Sequence, residues 1–148
     1  MLQELFSLKG KRALITGSSR GIGRAIAMLF AEAGAELIIH GSKPSAKLDE
    51  ALAEARSLGA KAEAVCADIG DVEAVKGLIK SVGDLDILVL NASMQHYLTV
   101  LDFEPETFTQ EFNANLRSSF LLLQGFLPGM QQRRFGRIIS IGSVNQWR

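Results

Sequence analysis

Five short apolar runs, separated by segments of helical period, leave this chain very few folds to adopt. Arg12–Thr16 (RALIT), Leu37–His40, Glu63–Ala67, Asp86–Leu90 (DILVL) and Arg137–Ile141 (RIISI) read as strands. After the first, Ile22, Ile26, Leu29, Phe30 and Ala33 fall at steps of 4, 3, 1 and 3, a helix stripe that Gly34 closes. A second helix is expected from about Pro44 to Leu58, with Pro44 in its first turn and Gly59 just beyond it. A third runs from about Val72 to Lys80, and a long helical stretch from about Pro105 to Arg133. The strands show little in-out alternation, which suits strands buried on both faces of a parallel sheet. Strand–helix alternation then implies right-handed crossovers and helices on both faces, a doubly wound α/β sheet. No linker, repeat or composition shift divides residues 1–148, so one domain is expected.

Charge excludes several function classes. Sixteen basic and sixteen acidic side chains cancel. Up to residue 74 there are nine basic and ten acidic groups, and beyond it seven and six. Neither half offers the basic field that would attract nucleic acid or an anionic membrane. A hydrophobic fraction of 47% beside 22% charged residues is ordinary for a soluble domain. No apolar run approaches the ~20 residues of a membrane-spanning helix. Met1–Gly10 lacks the basic start, apolar run and cleavage site of a signal peptide. One cysteine, Cys66, rules out an internal disulfide and fits a reducing, cytoplasmic compartment. His40 and His96 stand far apart, so no sequence-local metal site is expected.

The long helix is apolar on more than one side. Phe108, Phe112, Leu116, Phe120, Leu123 and Leu127 form one stripe, and Leu121, Leu122 and Phe126 broaden it. Such a helix must be covered on several sides, either by its own chain or by a partner subunit.

Chemistry enters at the first turn. Thr16-Gly17-Ser18-Ser19-Arg20-Gly21-Ile22-Gly23 joins the first strand to the first helix. A helix N-terminus offers unpaired N–H groups and partial positive charge to a pyrophosphate, and glycines let the backbone approach it. A nucleoside-triphosphate loop would need Gly-Lys-Ser/Thr at positions 22–24, where Ile22-Gly23-Arg24 stands. Glycines also serve purely structural turns, but this position favours dinucleotide binding. The second strand ends His40-Gly41-Ser42-Lys43, with no carboxylate until Asp49. An acid there would bind the adenosine ribose of NAD(H). Its absence, with Arg20, Ser42 and Lys43 nearby, favours NADP(H), unless Lys43 is simply a solvated loop lysine.

The spacing T-G-x-x-x-G-I-G resembles the short-chain dehydrogenase/reductase family. Ala67-Asp68-Ile69, Leu90-Asn91-Ala92-Ser93, Asn115 within Asn115-Leu116-Arg117-Ser118-Ser119-Phe120, and Gly136–Val144 follow in that family's order. The resemblance implies a Rossmann-like fold cut after its fifth strand. It implies phosphate or ribose contacts from Gly17, Ser19, Arg20, Gly21 and Ile22. Adenine would lie by Asp68 and Ile69, and the ribose region by Asn91 and Ala92. Asn115 would support an active-site water, and Ser143 would hydrogen-bond a substrate carbonyl or hydroxyl. Ser140 is the rival serine. Leu90 and Ser93 depart from the family's N-N-A-G, and Ser93 could narrow the cofactor path.

The resemblance also exposes a gap. The family passes its proton through a tyrosine ~13 residues after the serine, with a lysine four further on, as a cation beside a phenol permits. The sequence stops at Arg148, its seven lysines all lie at or before Lys80, and Tyr97 has Leu101 four residues on. The chain is therefore expected to be the first portion of a longer carbonyl reductase or alcohol dehydrogenase, itself binding cofactor without turning over substrate. Resemblance favours a 3-oxoacyl thioester reductase, then a sugar or polyol dehydrogenase. It also favours a homodimer or homotetramer through residues 105–133. The alternative is a non-catalytic nucleotide-binding or scaffold fragment.

Overall fold

The computed structural model describes residues 5–143, so Val144 of the motif around Ser143 lies outside the described residues. Strands β1 (Arg12–Ile15), β2 (Glu36–Gly41), β3 (Ala62–Cys66), β4 (Ile87–Leu90) and β5 (Arg137–Ser140) form one sheet. All are parallel, in the order β3-β2-β1-β4-β5. The register sets Leu14 between Ile38 and Leu88. The chain first builds outward from β1 to β3, then returns to the other side of β1 with β4. The strand order therefore reverses between β1 and β4, and parallel sheets bind ligands in the crevice that opens there.

Alternate strand residues feed two cores. Ala13, Ile15, Leu37, Ile39, Ile87 and Val89 face helices α1 (Gly21–Glu32) and α2 (Ala46–Ser57). Ala27, Ala31, Ala51 and Ala55 line this side, and their small side chains let the helices lie close to the sheet. Leu14, Ile38, Leu88 and Leu90 face the opposite way. They meet Val75, Leu78 and Val82 of α3 (Val72–Val82) and Leu122, Phe126 and Met130 of the last helix. Central strands apolar on both faces explain the missing alternation. The edge strand β5 is exposed along its length.

Two helices differ from expectation. Pro44 precedes α2 rather than entering it, because Ser45 is the cap: its hydroxyl accepts the Leu48 N–H at 3.3 Å. The stretch expected as one helix is divided into α4 (Pro105–Phe112), a π-helical turn (Asn113–Arg117) and α5 (Ser118–Gln132). Its buried face is Ala114, Ser118, Leu122, Phe126 and Met130. Phe108, Phe112, Leu116 and Phe120 remain between 44% and 62% exposed, with the Phe108 and Phe112 rings stacked at 6.2 Å.

At the N-terminal ends of the strands, Arg12 acts as a clamp. Its guanidinium meets Glu36 at 2.8 Å, Glu63 at 2.5 Å and the Asp84 carbonyl at 3.0 Å, and it also donates to the Val82 carbonyl. Lys61, then Arg12, holds the Glu36 carboxyl below its usual range. This network joins three strands to the end of α3 on the side of the sheet away from the crevice.

Candidate cofactor and active site

The β1–α1 turn is built by hydrogen bonds to the end of β4. Thr16 is buried, and its hydroxyl accepts the Asn91 and Ala92 N–H groups at 2.9 and 3.0 Å. The Asn91 amide donates to the Thr16 and Gly17 carbonyls at 2.9 and 3.3 Å. Gly17 has φ +67°, and a Cβ there would sit 2.9 Å from the Ala92 backbone. Gly23 lies under the turn, where a Cβ would be 2.5 Å from the Asn91 amide nitrogen and 2.6 Å from the Gly17 carbonyl. Both positions therefore exclude any side chain.

Helix α1 begins without a cap. Its N-cap residue, Arg20, makes no capping side-chain bond, and the first turn holds no acid. By contrast, Ser45 caps α2, and Asp71 caps α3 by accepting the Ala74 N–H at 2.7 Å. The uncapped end faces a cleft of about 810 Å³, lined by Gly17, Ser19, Arg20, Gly21, Ile22, Ser42, Lys43, Asp68, Ile69, Asn91 and Ala92. All eleven expected cofactor residues thus share one cleft. Free helix N–H groups and the cations of Arg20 and Lys43 fit an anionic, phosphorylated ligand. Asp68 makes a local turn, accepting the Gly70 N–H at 2.9 Å.

An adjoining cleft of about 490 Å³ is lined by Ile22, Asn91, Ala92, Asn115, Ser140 and Ser143, among others. Both candidate serines therefore border it. The π-helical turn delivers Asn115, whose side chain is held by one backbone unit: Oδ1 accepts the Met94 N–H at 2.8 Å and Nδ2 donates to the Met94 carbonyl at 2.7 Å. These two bonds tie Asn115 to the 93–96 backbone beside the cleft. Glu111 also borders this cleft and accepts hydrogen bonds from the His96 main chain and, at 3.0 Å, pairs with the ring. Ser93 borders both clefts.

Several contributors were not singled out from sequence. Ser45 and Lys47 line the first cleft, and Lys47 adds a third cation. The acid-free segment after β2 was the available signal. Ser18 and His40 are buried at the base of the turn, and His40 also lines the cleft. Nothing in a periodicity argument separates such residues from ordinary core. Among the described residues, no group of three or more His, Cys, Asp or Glu could hold a metal, and no helix is long and apolar enough to cross a membrane.

Burial, opposed by the Ala67 carbonyl, keeps the His40 pKa below its ordinary value of about 6.5. The native state then binds fewer protons than the unfolded chain between that lowered value and pH ~6.5. The stability from a neutral His40 is complete above that pH and lost as pH falls through this window. Melting temperatures from pH 8 to 5 should show a decline that His40→Asn lacks. A parallel decline in both proteins would refute it. Glu36, with its lowered pKa, contributes stability that is complete above pH ~4.5 and is lost only as pH falls below it, outside this window.

Comparison with known proteins agrees with this geometry. The family model for short chain dehydrogenases matches residues 11–147. The 3-oxoacyl-[acyl-carrier-protein] reductase of Vibrio harveyi is 37% identical over 142 residues, covering 93% of this chain and 57% of that protein. The structure of a 3-oxoacyl (acyl-carrier-protein) reductase from Agrobacterium tumefaciens, with NADP bound, is 40% identical at a TM-score of 0.92. It is matched over 99% of this chain and 57% of its own. A 7 alpha-hydroxysteroid dehydrogenase complexed with NADH and 7-oxo glycochenodeoxycholic acid is 31% identical at a TM-score of 0.90, over 97% of this chain and 57% of that one. The chain thus spans little more than half the length of these relatives. Its turn, its sheet order and this match over residues 11–147 together make it a member of the short-chain dehydrogenase family.

Proposed function

We propose that this chain binds NADP(H) in the larger cleft and carries the substrate-facing serine of an oxidoreductase that interconverts a carbonyl and an alcohol. The observation that carries the reading is the uncapped start of α1, set beside Arg20, Lys43 and Lys47 with no carboxylate from the β2–α2 loop. The NADP in the Agrobacterium tumefaciens structure supports it. When bound, the nicotinamide supplies the hydride chemistry. The α1 N-terminus with Ser19, Gly21 and Ile22 would hold the pyrophosphate, and Arg20, Ser42 and Lys43 a 2′-phosphate. Asp68 and Ile69 would flank adenine, while Asn91 and Ala92 border the path between the two clefts. Ser143 would donate a hydrogen bond to the substrate carbonyl, and Asn115 would fix the 93–96 backbone beside it. The relatives named above favour a 3-oxoacyl thioester as substrate class.

The residues at hand lack the proton-transfer pair that the family uses. Tyr97 is 89% exposed, and position 101 is Leu. These 148 residues by themselves are therefore expected to bind cofactor with negligible turnover. NADPH titration with and without a carbonyl substrate tests this, and detectable substrate-dependent oxidation would sink it. A cytoplasmic setting fits the single cysteine, Cys66.

Cofactor preference has a direct test. NADPH should bind more tightly than NADH, and Lys43→Glu should shrink the affinity ratio about tenfold by opposing the 2′-phosphate. Equal affinities in the unmutated protein would refute the preference.

A second reading is a non-catalytic nucleotide-binding scaffold. It draws support from the uncovered stripe of Phe108, Phe112, Leu116 and Phe120. The same stripe supports self-association through residues 105–133 as a homodimer or homotetramer, since exposed apolar surface of this kind marks interaction sites. Turnover by the full-length protein that Ser143→Ala abolishes would eliminate the scaffold reading.

A further inference from the structure

The imidazole of His40 connects two walls of the nucleotide cleft. The Gly17 N–H donates to its Nδ1 at 3.0 Å, and its Nε2 lies 3.0 Å from the Ala67 carbonyl. A carbonyl only accepts, so Nε2 carries the ring hydrogen and Nδ1 keeps its lone pair. No other neutral tautomer satisfies both partners. The His40 backbone is bound to the same turn. Its N–H donates to the Ser18 hydroxyl at 2.9 Å, and its carbonyl accepts the Ser18 N–H at 2.9 Å. The Ser18 hydroxyl in turn donates to the Ile15 carbonyl at 2.7 Å. The residue is only 1% exposed.

We propose that His40 is a positioning residue for the nucleotide, holding the β1–α1 turn in its phosphate-accepting shape through the Nδ1–Gly17 hydrogen bond. The inference rests on the NADP(H) reading above. Gly17 has φ +67°, and its N–H is turned into the protein. It is thereby withdrawn from the donors that face the cleft, and its orientation sets where the donors after it point. The second bond ties the ring to Ala67, whose neighbours Asp68 and Ile69 line the same cleft. One rigid, buried ring therefore fixes the distance between the phosphate wall and the adenine wall. Burial also keeps this ring neutral near pH 7, so its lone pair is present in working conditions. Preorganised donors bind more tightly than donors that must be ordered on contact.

Two substitutions separate positioning from packing. In His40→Asn the side-chain amide reaches the place of Nδ1 and can offer Oδ1 to Gly17, but it is too short for Ala67. In His40→Gln the amide reaches the place of Nε2 and can donate to Ala67, leaving Gly17 without its acceptor. Both remove the ring, so both lose packing. His40→Gln should lose about tenfold in NADPH affinity, and His40→Asn should stay within about threefold of the unmutated protein. Without cofactor, the Gly17 amide should exchange faster in His40→Gln than in His40→Asn. Affinities that follow the two melting temperatures instead of the Gly17 contact overturn the inference. So does NADPH binding by His40→Gln as tight as by the unmutated protein. If either variant does not fold, ring nitrogen resonances of the unmutated protein decide: a neutral ring protonated at Nε2 is expected, and one protonated at Nδ1 overturns it. Failure of the unmutated protein to bind NADPH removes the cofactor reading and this inference together, whereas binding that is insensitive to the Gly17 contact removes the inference alone.

Discussion

Gly23→Ala should cost about 100-fold in NADPH affinity, a loss of about 2.7 kcal/mol. The added methyl would lie 2.5 Å from the Asn91 amide nitrogen and 2.6 Å from the Gly17 carbonyl. Neither is the loose end of a flexible side chain. Gly17 is backbone, and the Asn91 amide is held by the Thr16 and Gly17 carbonyls. To admit the methyl, α1 must lift from the turn or Asn91 must release it. Either motion misaims the free N–H groups at the start of α1, and small misplacements of a binding array are costly. Overpacking of this kind also costs about 1–3 kcal/mol of stability. Gly77→Ala is the matched control, because a Cβ there meets nothing within 4 Å in the middle of α3. Titration of both variants, with melting curves alongside, checks the prediction. Unchanged NADPH affinity in folded Gly23→Ala would remove the β1–α1 turn from the binding site.

Under the oxidoreductase reading, Ser143→Ala should lower kcat about 100- to 1000-fold in a protein that joins this chain to the family's tyrosine–lysine pair, with NADPH affinity unchanged. The range is that of removing one hydrogen-bond donor aimed at developing charge on a carbonyl oxygen. The separation of effects follows from placement. Ser143 borders the smaller cleft with Asn115, whereas the cationic cluster of Arg20, Lys43 and Lys47 lies along the larger one. Ser140→Ala is the comparison, since Ser140 borders the same cleft from the last position of β5. Single-turnover kinetics beside equilibrium cofactor titration separates the two quantities. If Ser140→Ala gives the larger kcat loss, the serine roles are exchanged. If Ser143→Ala weakens NADPH instead, its hydroxyl belongs to the nucleotide site.

The parallel sheet was legible because β1, β2 and β4 are apolar on both faces, which only a sheet sandwiched between helices accommodates. The turn between β1 and α1 was legible for a related reason. Glycines at 17, 21 and 23 between a strand and a helix mark a tight turn of the kind found there. What stayed hidden has a common physical origin. Thr16, Ser18 and His40 are polar residues that act by bonding backbone of distant segments, with partners up to 76 positions away. Nothing local in a sequence marks such a pair. The π-helical turn at Asn113–Arg117 was hidden as well, because apolar spacing of four continues through it, from Phe108 to Phe120. The start of α2 was misplaced by one choice between neighbours: Pro44 and Ser45 can each open a helix, and the hydroxyl bond to Leu48 decided for Ser45.

The two cores on opposite faces of the sheet have a consequence for how such proteins diversify. The Ala-lined layer lies under α1, which starts from the β1–α1 turn, while the other layer lies under α3 and under α5, which continues from the π-helical turn. Substitutions separated by the full thickness of a sheet share few partners and combine nearly additively. A lineage can therefore alter one layer while leaving the other nearly unchanged. A 3-oxoacyl (acyl-carrier-protein) reductase with NADP and a hydroxysteroid dehydrogenase with NADH both superpose on this one chain.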